Sequence, residues 1–274
     1  MTDYALVVYA THAQGMFQAL IDDANAYNVP ITLLGWGEKW VGYRQKIEAI
    51  LAFVRTLPPE TIVISLDAYD TKMARHPQGA IDVFKELNVD ICFSSDRTAF
   101  APMDLIMRSV FKNTCSEANM KYINTGMYMG YAGAIANLLT HVMYVHPKEN
   151  DDQLMINLEC ERLSTMFNIH VDQSKIIFNN IHVSQMFTNI ASKSCSSYFI
   201  GYPGTGGSTT FEPMMFMSRL KRDFVDYSKM IMKNNGIRLA RCAILFLLIW
   251  VVYLYCRLQK VYRKGNKCLY TPNK

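Results

Sequence analysis

The chain has 274 residues, of which 50% are hydrophobic and 19% charged, enough apolar material for one large core. This composition excludes an intrinsically disordered polyampholyte. The net charge of +5 is unevenly distributed, because residues 1–218 carry a balance of −6 and residues 219–274 one of +11. We therefore expect basic partners for the body and anionic partners only for the tail. Nucleic-acid binding is not expected, because the basic residues of the tail flank an apolar block.

The body alternates predicted strands and helices. Strands are predicted at 3–10, 29–37, 61–66 and 89–95, and helices at 13–27, 44–57 and 77–87. A strand interrupted by glycines and followed by a helix is predicted at 122–145, then a helix at 150–163 and a short strand entering a Gly-rich loop at 197–210. This alternation favours an α/β fold with a mostly parallel central sheet and helices on both faces.

Two aspartates, Asp67 and Asp70, come directly after the predicted strand at 61–66, in the stretch "ISLDAYD". In open parallel sheets, ligands bind beyond the carboxyl ends of the strands. Carboxylates are ligands that Mg²⁺ and Mn²⁺ prefer, and such ions commonly bridge protein acids to substrate phosphates. The alternative is that Asp67 caps a turn and Asp70 solvates it, and the tetrapeptide alone leaves both open.

Five stretches taken in order resemble one family: "GWGEKW" (35–40), "YRQKIEAI" (43–50), "ISLDAYD" (64–70), "INTGMYMGYA" (123–132) and "DDQL" (151–154). They are similar to the glycosyltransferase domain of the procollagen lysyl hydroxylases and their viral relatives. The resemblance covers residues 4–207. It implies a GT-A-like nucleotide-sugar-binding fold that uses a UDP-sugar and Mn²⁺ or Mg²⁺. Hydroxylation is not expected, because the hydroxylase portion of those enzymes has no counterpart here.

The resemblance also implies roles for single residues. Asp67 and Asp70 match the metal-binding acids, and Tyr69 between them matches an aromatic that packs on the uridine. Thr11 matches a contact to the nucleotide. Asp151 and Asp152 match the end of an acidic run that meets sugar hydroxyls or the acceptor, and they are our candidate catalytic residues. The alternative for these two acids is that they only stabilise a helix N-terminus.

Three further residues are candidates for the donor site. The resemblance places Trp40 near the donor, makes Lys46 a candidate for the diphosphate, and puts Asn124 in a matched strand. Each has a structural alternative: Trp40 fills the edge of the core, Lys46 is a solvated helix residue, and Asn124 ties down a turn.

One departure from the family concerns the metal site, which the family closes with a histidine in a late H-G-N-G stretch. The nearest counterpart here, "IGYPGTGG" (200–207), contains no histidine, and His182 is the nearest by sequence. The coordination position of that histidine is therefore expected to be taken by water or Tyr202, or to be absent.

The tail contains "CAILFLLIWVVYLYC" (242–256), fifteen residues without a charge, with basic residues on both sides. Extended to 239–258 it approaches the roughly 20 residues of a membrane span. The alternative is a buried core helix. The seven cysteines are scattered without a C-x-x-C pair, no N-x-[ST] sequon occurs, and Asp3 stands where a signal peptide would be basic. These features favour a body in the reducing cytosol.

The sequence thus predicts a transferase domain at 1–210, a basic juxtamembrane segment at 211–238, a single transmembrane helix at 239–258 and a basic tail at 259–274. The predicted function is metal-dependent transfer of glucose or galactose from a UDP-sugar to a hydroxyl of an unknown protein or glycan acceptor. The alternative is an inactive, membrane-anchored scaffold that binds nucleotide sugars. A nucleotidyltransferase is disfavoured, because the chain has no P-loop lysine motif.

Overall fold

The computed structural model of the chain describes residues 4–96, 122–180 and 197–201. All of these belong to one compact unit, which spans Met1–Gln185 and Ser194–Thr209. Within the described ranges, no helix is long and apolar enough to cross a membrane. The predicted transmembrane helix at 239–258, its basic flanks, Tyr202 with the Gly-rich loop, and His182 lie outside the described residues.

The described strands, in chain order, are β1 (Tyr4–Tyr9), β2 (Ile31–Leu34), β3 (Ile62–Asp67), β4 (Thr71–Met73), β5 (Ile91–Ser95), β6 (Ile123–Tyr131), β7 (Ile169–Asp172), β8 (Phe178–Asn180) and β9 (Phe199–Gly201). The described helices are α1 (Phe17–Ala26), α2 (Tyr43–Val54), α3 (Gln78–Leu87), α4 (Ala132–Val145), α5 (Asp152–Leu158) and α6 (Cys160–Met166).

Six strands form the central sheet in the order β2-β1-β3-β6-β5-β7. β1 pairs in parallel with β2 and β3, and β5 pairs in parallel with β7. Only β6 is reversed within this sheet, where it runs antiparallel between β3 and β5. The predicted α/β fold with a mostly parallel central sheet is confirmed.

Two apolar layers cover the two faces of this sheet. The layer that contains α2 and α4 includes Val7, Ile50 and Leu139, and the layer that contains α1 and α3 includes Leu6 and Phe84. Neighbouring residues of β1 enter opposite layers because side chains alternate along a strand. Helices therefore pack on both faces, as the alternating sequence pattern predicted.

The structure differs from the prediction at three kinds of position. The second strand ends at Leu34, because Gly35 and Gly37 adopt positive φ angles of 73° and 81°. The helix predicted at 150–163 is two helices that meet at Glu159. The Glu159 carboxylate contacts His141 of α4 and His146, which directly follows α4. Strands β4, β7 and β8 were not predicted, since three or four residues carry little periodic signal.

The described residues include two cysteines, Cys92 and Cys160. Cys92 is free and buried, whereas Cys160 is disulfide-bonded. The scattered cysteines, which lack a C-x-x-C pair, did not suggest a disulfide framework. The bond at Cys160 was therefore not predicted.

Candidate active site at the carboxyl ends of the strands

The sheet topology brings polar residues of four strands to one edge. Thr11 follows β1, Asp67 ends β3 and Asp96 follows β5, and these three strands run in the same direction. Because β6 is reversed, its beginning, with Asn124, lies at the same edge. This is the edge at which ligands bind in open α/β sheets.

A buried lysine joins two of the predicted site acids. Lys46 Nζ of α2 lies 2.6 Å from Asp67 Oδ1 and 3.2 Å from Asp152 Oδ2. The Lys46 side chain is 8% exposed and that of Asp152 11%, whereas Asp67 is 34% exposed. The ammonium group therefore bridges the end of β3 and the first turn of α5, and Asp67 is the most accessible member of the three.

The electrostatics of this cluster keep Lys46 charged. Burial by itself lowers the pKa of Lys46, but the neighbouring Asp152 and Asp67 outweigh burial and raise this pKa well above its ordinary value. Burial raises the pKa of Asp67, and Lys46 opposes that shift. The three side chains carry a formal charge of −1, so the site can still attract a cation.

Asp67 and Asp70 bracket one tight turn. Residues 68–70 form the turn between β3 and β4, and the Thr71 hydroxyl donates to the Asp67 carbonyl oxygen at 2.5 Å. Among the described ranges, no group of three His, Cys, Asp or Glu side chains converges as a metal site. Two carboxylates supply hard oxygen ligands, and Mn²⁺ or Mg²⁺ commonly completes such a set with substrate oxygens and water.

The absence of a side chain at Gly126 lets the Asp67 carboxylate approach the backbone of β6 closely. A Cβ at Gly126 would lie 2.9 Å from Asp67 Oδ2, the carboxylate oxygen that Lys46 does not bind at 2.6 Å. It would also lie 3.0 Å from Asn124 Oδ1. The chemistry of these two carboxylates fits a divalent metal held by Asp67 and Asp70.

The two predicted nucleoside residues, Thr11 and Tyr69, contact each other. The Thr11 amide donates to Tyr69 Oη at 2.9 Å, and the Met16 amide donates to the Tyr69 carbonyl oxygen, also at 2.9 Å. Gly15 has φ +57°, and a Cβ there would overlap the Tyr69 carbonyl oxygen, so only glycine fits. The segment after β1 and the turn after β3 are therefore fixed to each other.

Trp40 lies on an exposed surface next to this cluster. Trp40 is 42% exposed, and its ring lies 5.8 Å from that of buried Tyr9, so the alternative that it fills the edge of the core stays open. The Trp40 ring packs edge-on against Tyr43, with 5.3 Å between ring centroids. Burial raises the pKa of Tyr43, and Asp67 and Asp152 raise it further, so Tyr43 lies within electrostatic reach of the site acids.

The acids of the "DDQL" stretch have different positions. Asp151 is the N-cap of α5, where its Oδ1 accepts a hydrogen bond from the Leu154 amide at 2.9 Å. This is the helix-stabilising alternative that the sequence left open. Burial raises the pKa of Asp151. Asp152 instead points to Lys46, so only Asp152 of this pair joins the buried cluster.

Asn124 is saturated by hydrogen bonds within the protein. Its Nδ2 donates to Asp96 Oδ1 at 2.9 Å and to Gln153 Oε1 at 3.3 Å. Its Oδ1 accepts from Ser94 Oγ and from the Gly126 amide, each at 2.9 Å. An amide side chain has two donor hydrogens and two acceptor lone pairs. Asn124 can therefore contact a ligand only by giving up one of these bonds, and the structural alternative is the better account of it.

Sequence reasoning missed Asp96 and Gln153. Asp96 is 6% exposed, and its Oδ2 accepts from Gln153 Nε2 at 2.7 Å. Burial raises the pKa of Asp96 to about 6, although Gln153 and Asn124 oppose the shift. The signal was present in "FSSD", where an acid follows a buried strand, as Asp67 does after β3.

The sequence also contains one H-x-D triplet, His170-Val171-Asp172, a pattern that can ligate iron. In the structure, Asp172 is 2% exposed and its carboxylate accepts hydrogen bonds from the amides of Ile176, Ile177 and Phe178. Asp172 therefore stabilises the turn between β7 and β8.

The sequence comparisons place the chain in a family. The family model described as "PLOD GT domain" matches residues 2–200. A procollagen-lysine,2-oxoglutarate 5-dioxygenase of Drosophila melanogaster is 27% identical over 189 residues, which cover 63% of this chain and 25% of that protein. A multifunctional procollagen lysine hydroxylase and glycosyltransferase of Caenorhabditis elegans is 25% identical, covering 66% of this chain and 26% of that protein.

A viral protein is similar as well. The uncharacterized protein R699 of Acanthamoeba polyphaga mimivirus is 23% identical over 168 residues, covering 54% of this chain and 36% of that protein. The chain thus spans between a quarter and about a third of the lengths of these three relatives.

Solved structures with similar folds include glycosyltransferases. One acts in glycosylation of the major capsid of PBCV-1 and has a TM-score of 0.46 at 9% identity, covering 73% of this chain and 93% of its own. The galactosyltransferase LgtC has a TM-score of 0.46 at 10% identity, covering 73% and 87%. The family model, which spans 199 of the 274 residues, confirms the resemblance drawn from the five sequence stretches. The chain belongs to the PLOD GT domain family.

Proposed function

We propose that this protein is a divalent-metal-dependent glycosyltransferase that moves glucose or galactose from a UDP-sugar to an acceptor hydroxyl. The observation that carries the proposal is the contact of Lys46 with Asp67 and Asp152 at the edge of the sheet formed by the carboxyl ends of the parallel strands. The chain that forms this sheet belongs to the PLOD GT domain family. The acceptor is a protein or glycan, and the acidic body favours one with basic groups around its hydroxyl.

Each residue has a defined task in this proposal. Asp67 and Asp70 would hold Mn²⁺ or Mg²⁺, which when bound would neutralise the diphosphate leaving group as a Lewis acid. Tyr69 offers its ring to the uridine, while its hydroxyl is held by the Thr11 amide. Lys46 is fixed between Asp67 and Asp152, where its charge would attract the diphosphate. Asp152 orients the sugar through its remaining acceptor capacity or accepts the proton of the acceptor hydroxyl.

The test measures UDP release by the full-length protein in detergent from a panel of UDP-sugars, with and without Mn²⁺. We expect Mn²⁺-dependent release from one UDP-hexose, and its loss in an Asp67→Ala/Asp70→Ala variant. Asp82→Ala is the matched control, because Asp82 is an exposed acid of α3 and should leave release unchanged. Release that is equal in both variants would contradict the assignment of the metal acids.

The second candidate is a scaffold that binds nucleotide sugars without turnover. The observation that favours it is the 2.6 Å ion pair, in which Lys46 already balances the charge of Asp67 that a metal ion would balance. Isothermal titration calorimetry with UDP, together with the turnover assay, separates the two candidate functions. UDP binding without turnover in any metal supports the scaffold, whereas absence of UDP binding contradicts both.

We also propose that residues 239–258 tether the protein to a membrane as a single span, with the body in the cytosol. The support is the uncharged apolar run at 242–256 with basic residues on both sides. The disulfide at Cys160 argues for an oxidising compartment instead, so orientation needs its own measurement. Protein that is extracted from membranes by alkaline carbonate would contradict the span. Protease digestion of intact vesicles shows which side the body faces.

A further inference from the structure

Two side-chain amides and one carboxylate form a hydrogen-bond network beside the proposed catalytic cluster. The proposed function assigns no role to this network. Asp96 Oδ1 accepts from Asn124 Nδ2 at 2.9 Å, and Asp96 Oδ2 accepts from Gln153 Nε2 at 2.7 Å. Gln153 Oε1 in turn accepts from Asn124 Nδ2 at 3.3 Å. Three side chains from the end of β5, the start of β6 and the first turn of α5 therefore form a closed triangle.

The triangle is connected through the backbone of α5 to the proposed catalytic acid Asp152. Gln153 is the neighbour of Asp152 in the first turn of α5, so whatever fixes Gln153 also fixes the backbone that carries Asp152. Asn124 Oδ1 and Asp67 Oδ2 both lie close to Gly126, at 3.0 and 2.9 Å from the position a Cβ would take. The triangle thus lies next to the strand end that carries Asp67, and Gln153 joins it to the helix that carries Asp152.

The hydrogen-bond valences of the triangle allow one arrangement only. The Asn124 amide has one possible orientation, because its Oδ1 accepts from the Gly126 backbone N–H, and an N–H group can only donate. Asn124 must therefore present its donors to Asp96 and Gln153. The two donors reach different oxygens of Asp96, Asn124 Nδ2 reaching Oδ1 and Gln153 Nε2 reaching Oδ2, so an amide at position 96 would turn its own NH2 group toward one of them.

We propose that Asp96 is a positioning residue of the active site, which holds α5 through Gln153 and Asn124 so that Asp152 reaches Lys46 opposite Asp67. This inference rests on the proposed transferase function for its kinetic consequence, but its structural consequence is independent of turnover. Burial raises the pKa of Asp96 to about 6, so the ionised carboxylate that the triangle needs is costly to keep. Lys175, from the turn after β7, is a further charged group near Asp96 and partly offsets that cost.

The test interchanges the carboxylate of Asp96 and the amide of Gln153 in the full-length protein. In Asp96→Asn, the NH2 group of the new amide faces the Nε2 donor of Gln153. The two side chains can form a hydrogen bond only if the Gln153 amide rotates by 180°, and Gln153 then loses the bond it accepts from Asn124. In Gln153→Glu, two carboxylates face each other. In the double variant Asp96→Asn/Gln153→Glu, the new amide donates to the new carboxylate and both Asn124 donors are accepted again. The control is Asp82→Asn, since Asp82 accepts a comparable bond from Gln78 Nε2 at 2.9 Å on an exposed surface.

Amide hydrogen exchange of the peptide that covers residues 150–158 measures the position of α5. Each single variant should accelerate exchange about tenfold, which is the effect of losing one charge-assisted hydrogen bond. The double variant should recover the wild-type rate, and the control should not change it. Unchanged exchange in Asp96→Asn, or no recovery in the folded double variant, would overturn the proposal.

Turnover of the UDP-sugar gives the kinetic arm of the same test. Asp96→Asn should lower kcat by about 10²-fold, as expected for a misplaced catalytic group, with an unchanged KM and no loss of thermal stability. A loss of activity together with a matching loss of stability would show a merely structural role. If the wild-type protein turns over no UDP-sugar, the proposed function fails, while the exchange arm still decides the positioning role.

Discussion

Lys46 Nζ lies 2.6 Å from Asp67 Oδ1, so one buried ammonium group joins helix α2 to the end of strand β3. The same nitrogen lies 3.2 Å from Asp152 Oδ2. Two acids that are 85 positions apart in the numbering therefore share one counter-ion. This relationship decides how the site responds to mutation, because removal of the lysine leaves two carboxylates facing each other.

Replacing Lys46 by methionine should destabilise the protein. Removal of one partner from a buried ion pair leaves an uncompensated charge, and we expect a loss of about 2–4 kcal/mol in the free energy of unfolding, less than for a fully buried pair because Asp67 is partly exposed. Urea denaturation measures this loss. A loss below the experimental error would show that the pair is not formed in solution.

Mn²⁺ should restore part of the stability that Lys46→Met loses. If Asp67 and Asp70 bind the ion, its charge replaces that of the missing ammonium group, and the stabilisation grows with Mn²⁺ concentration. The midpoint of thermal unfolding should therefore rise more with Mn²⁺ in Lys46→Met than in the wild type. An equal rise in both proteins would mean that the ion binds elsewhere.

Replacing Tyr69 by phenylalanine separates the hydroxyl from the ring. The buried Thr11 amide loses the acceptor that lies 2.9 Å away, and an unpartnered buried amide costs about 1–3 kcal/mol. We expect this loss of stability together with nearly unchanged UDP affinity, because the ring that packs on the uridine remains. Tyr69→Ala should lose UDP affinity as well. Loss of UDP binding in Tyr69→Phe would assign the contact to the hydroxyl instead.

Replacing Gly126 by alanine should weaken metal binding. The added methyl group would lie 2.9 Å from Asp67 Oδ2 and must displace it. A change in the groups that orient a metal ligand typically lowers metal affinity by about 10–100-fold, and titration with Mn²⁺ measures this affinity. Gly133→Ala is the control, because its Cβ would meet Pro59 Cβ at 3.1 Å, away from the site acids. Equal Mn²⁺ affinity in the two variants would contradict a metal at Asp67.

The buried carboxyl of Asp96 should give the protein a pH-dependent stability. Its pKa is raised from 3.8 to about 6 in the folded state, so the folded state binds its proton more tightly than the unfolded state. This contribution to stability is fully present below about pH 4 and is lost as the pH rises to about 6. Two pKa units correspond to about 3 kcal/mol.

Comparison with Asp96→Asn tests this contribution. The variant lacks the titrating group, so its free energy of unfolding relative to wild type should increase between pH 4 and pH 6 and then stay constant. Chemical denaturation at a series of pH values measures the difference. A difference that does not vary with pH would show that Asp96 has an ordinary pKa in the folded protein.

The sequence was sufficient where the signal is local and periodic. The helical spacing of Ile47, Ile50, Leu51 and Val54 predicted α2, and the apolar run before Asp67 predicted β3. Because three parallel strands end at one edge, an acid that follows a strand could also be placed near other strand ends. The five family stretches added Lys46 and Asp152 to the same site before their contact was known.

The sequence was not sufficient where the partner is distant along the chain. Nothing local distinguishes Asp151, which caps α5, from Asp152, which pairs with Lys46. The short strands β4, β7 and β8 were missed because three or four residues carry little periodic signal.

By itself, the sequence determined the alternation of strands and helices, the family and the edge of the sheet that carries the site, because these follow from local periodicity and from short motifs. Only the tertiary structure decided which side chains share a counter-ion and which are saturated. Lys46 and Asn124 are polar residues whose roles depend on the two to four groups around them. Those groups come from separate elements that the packed sheet brings within hydrogen-bond distance.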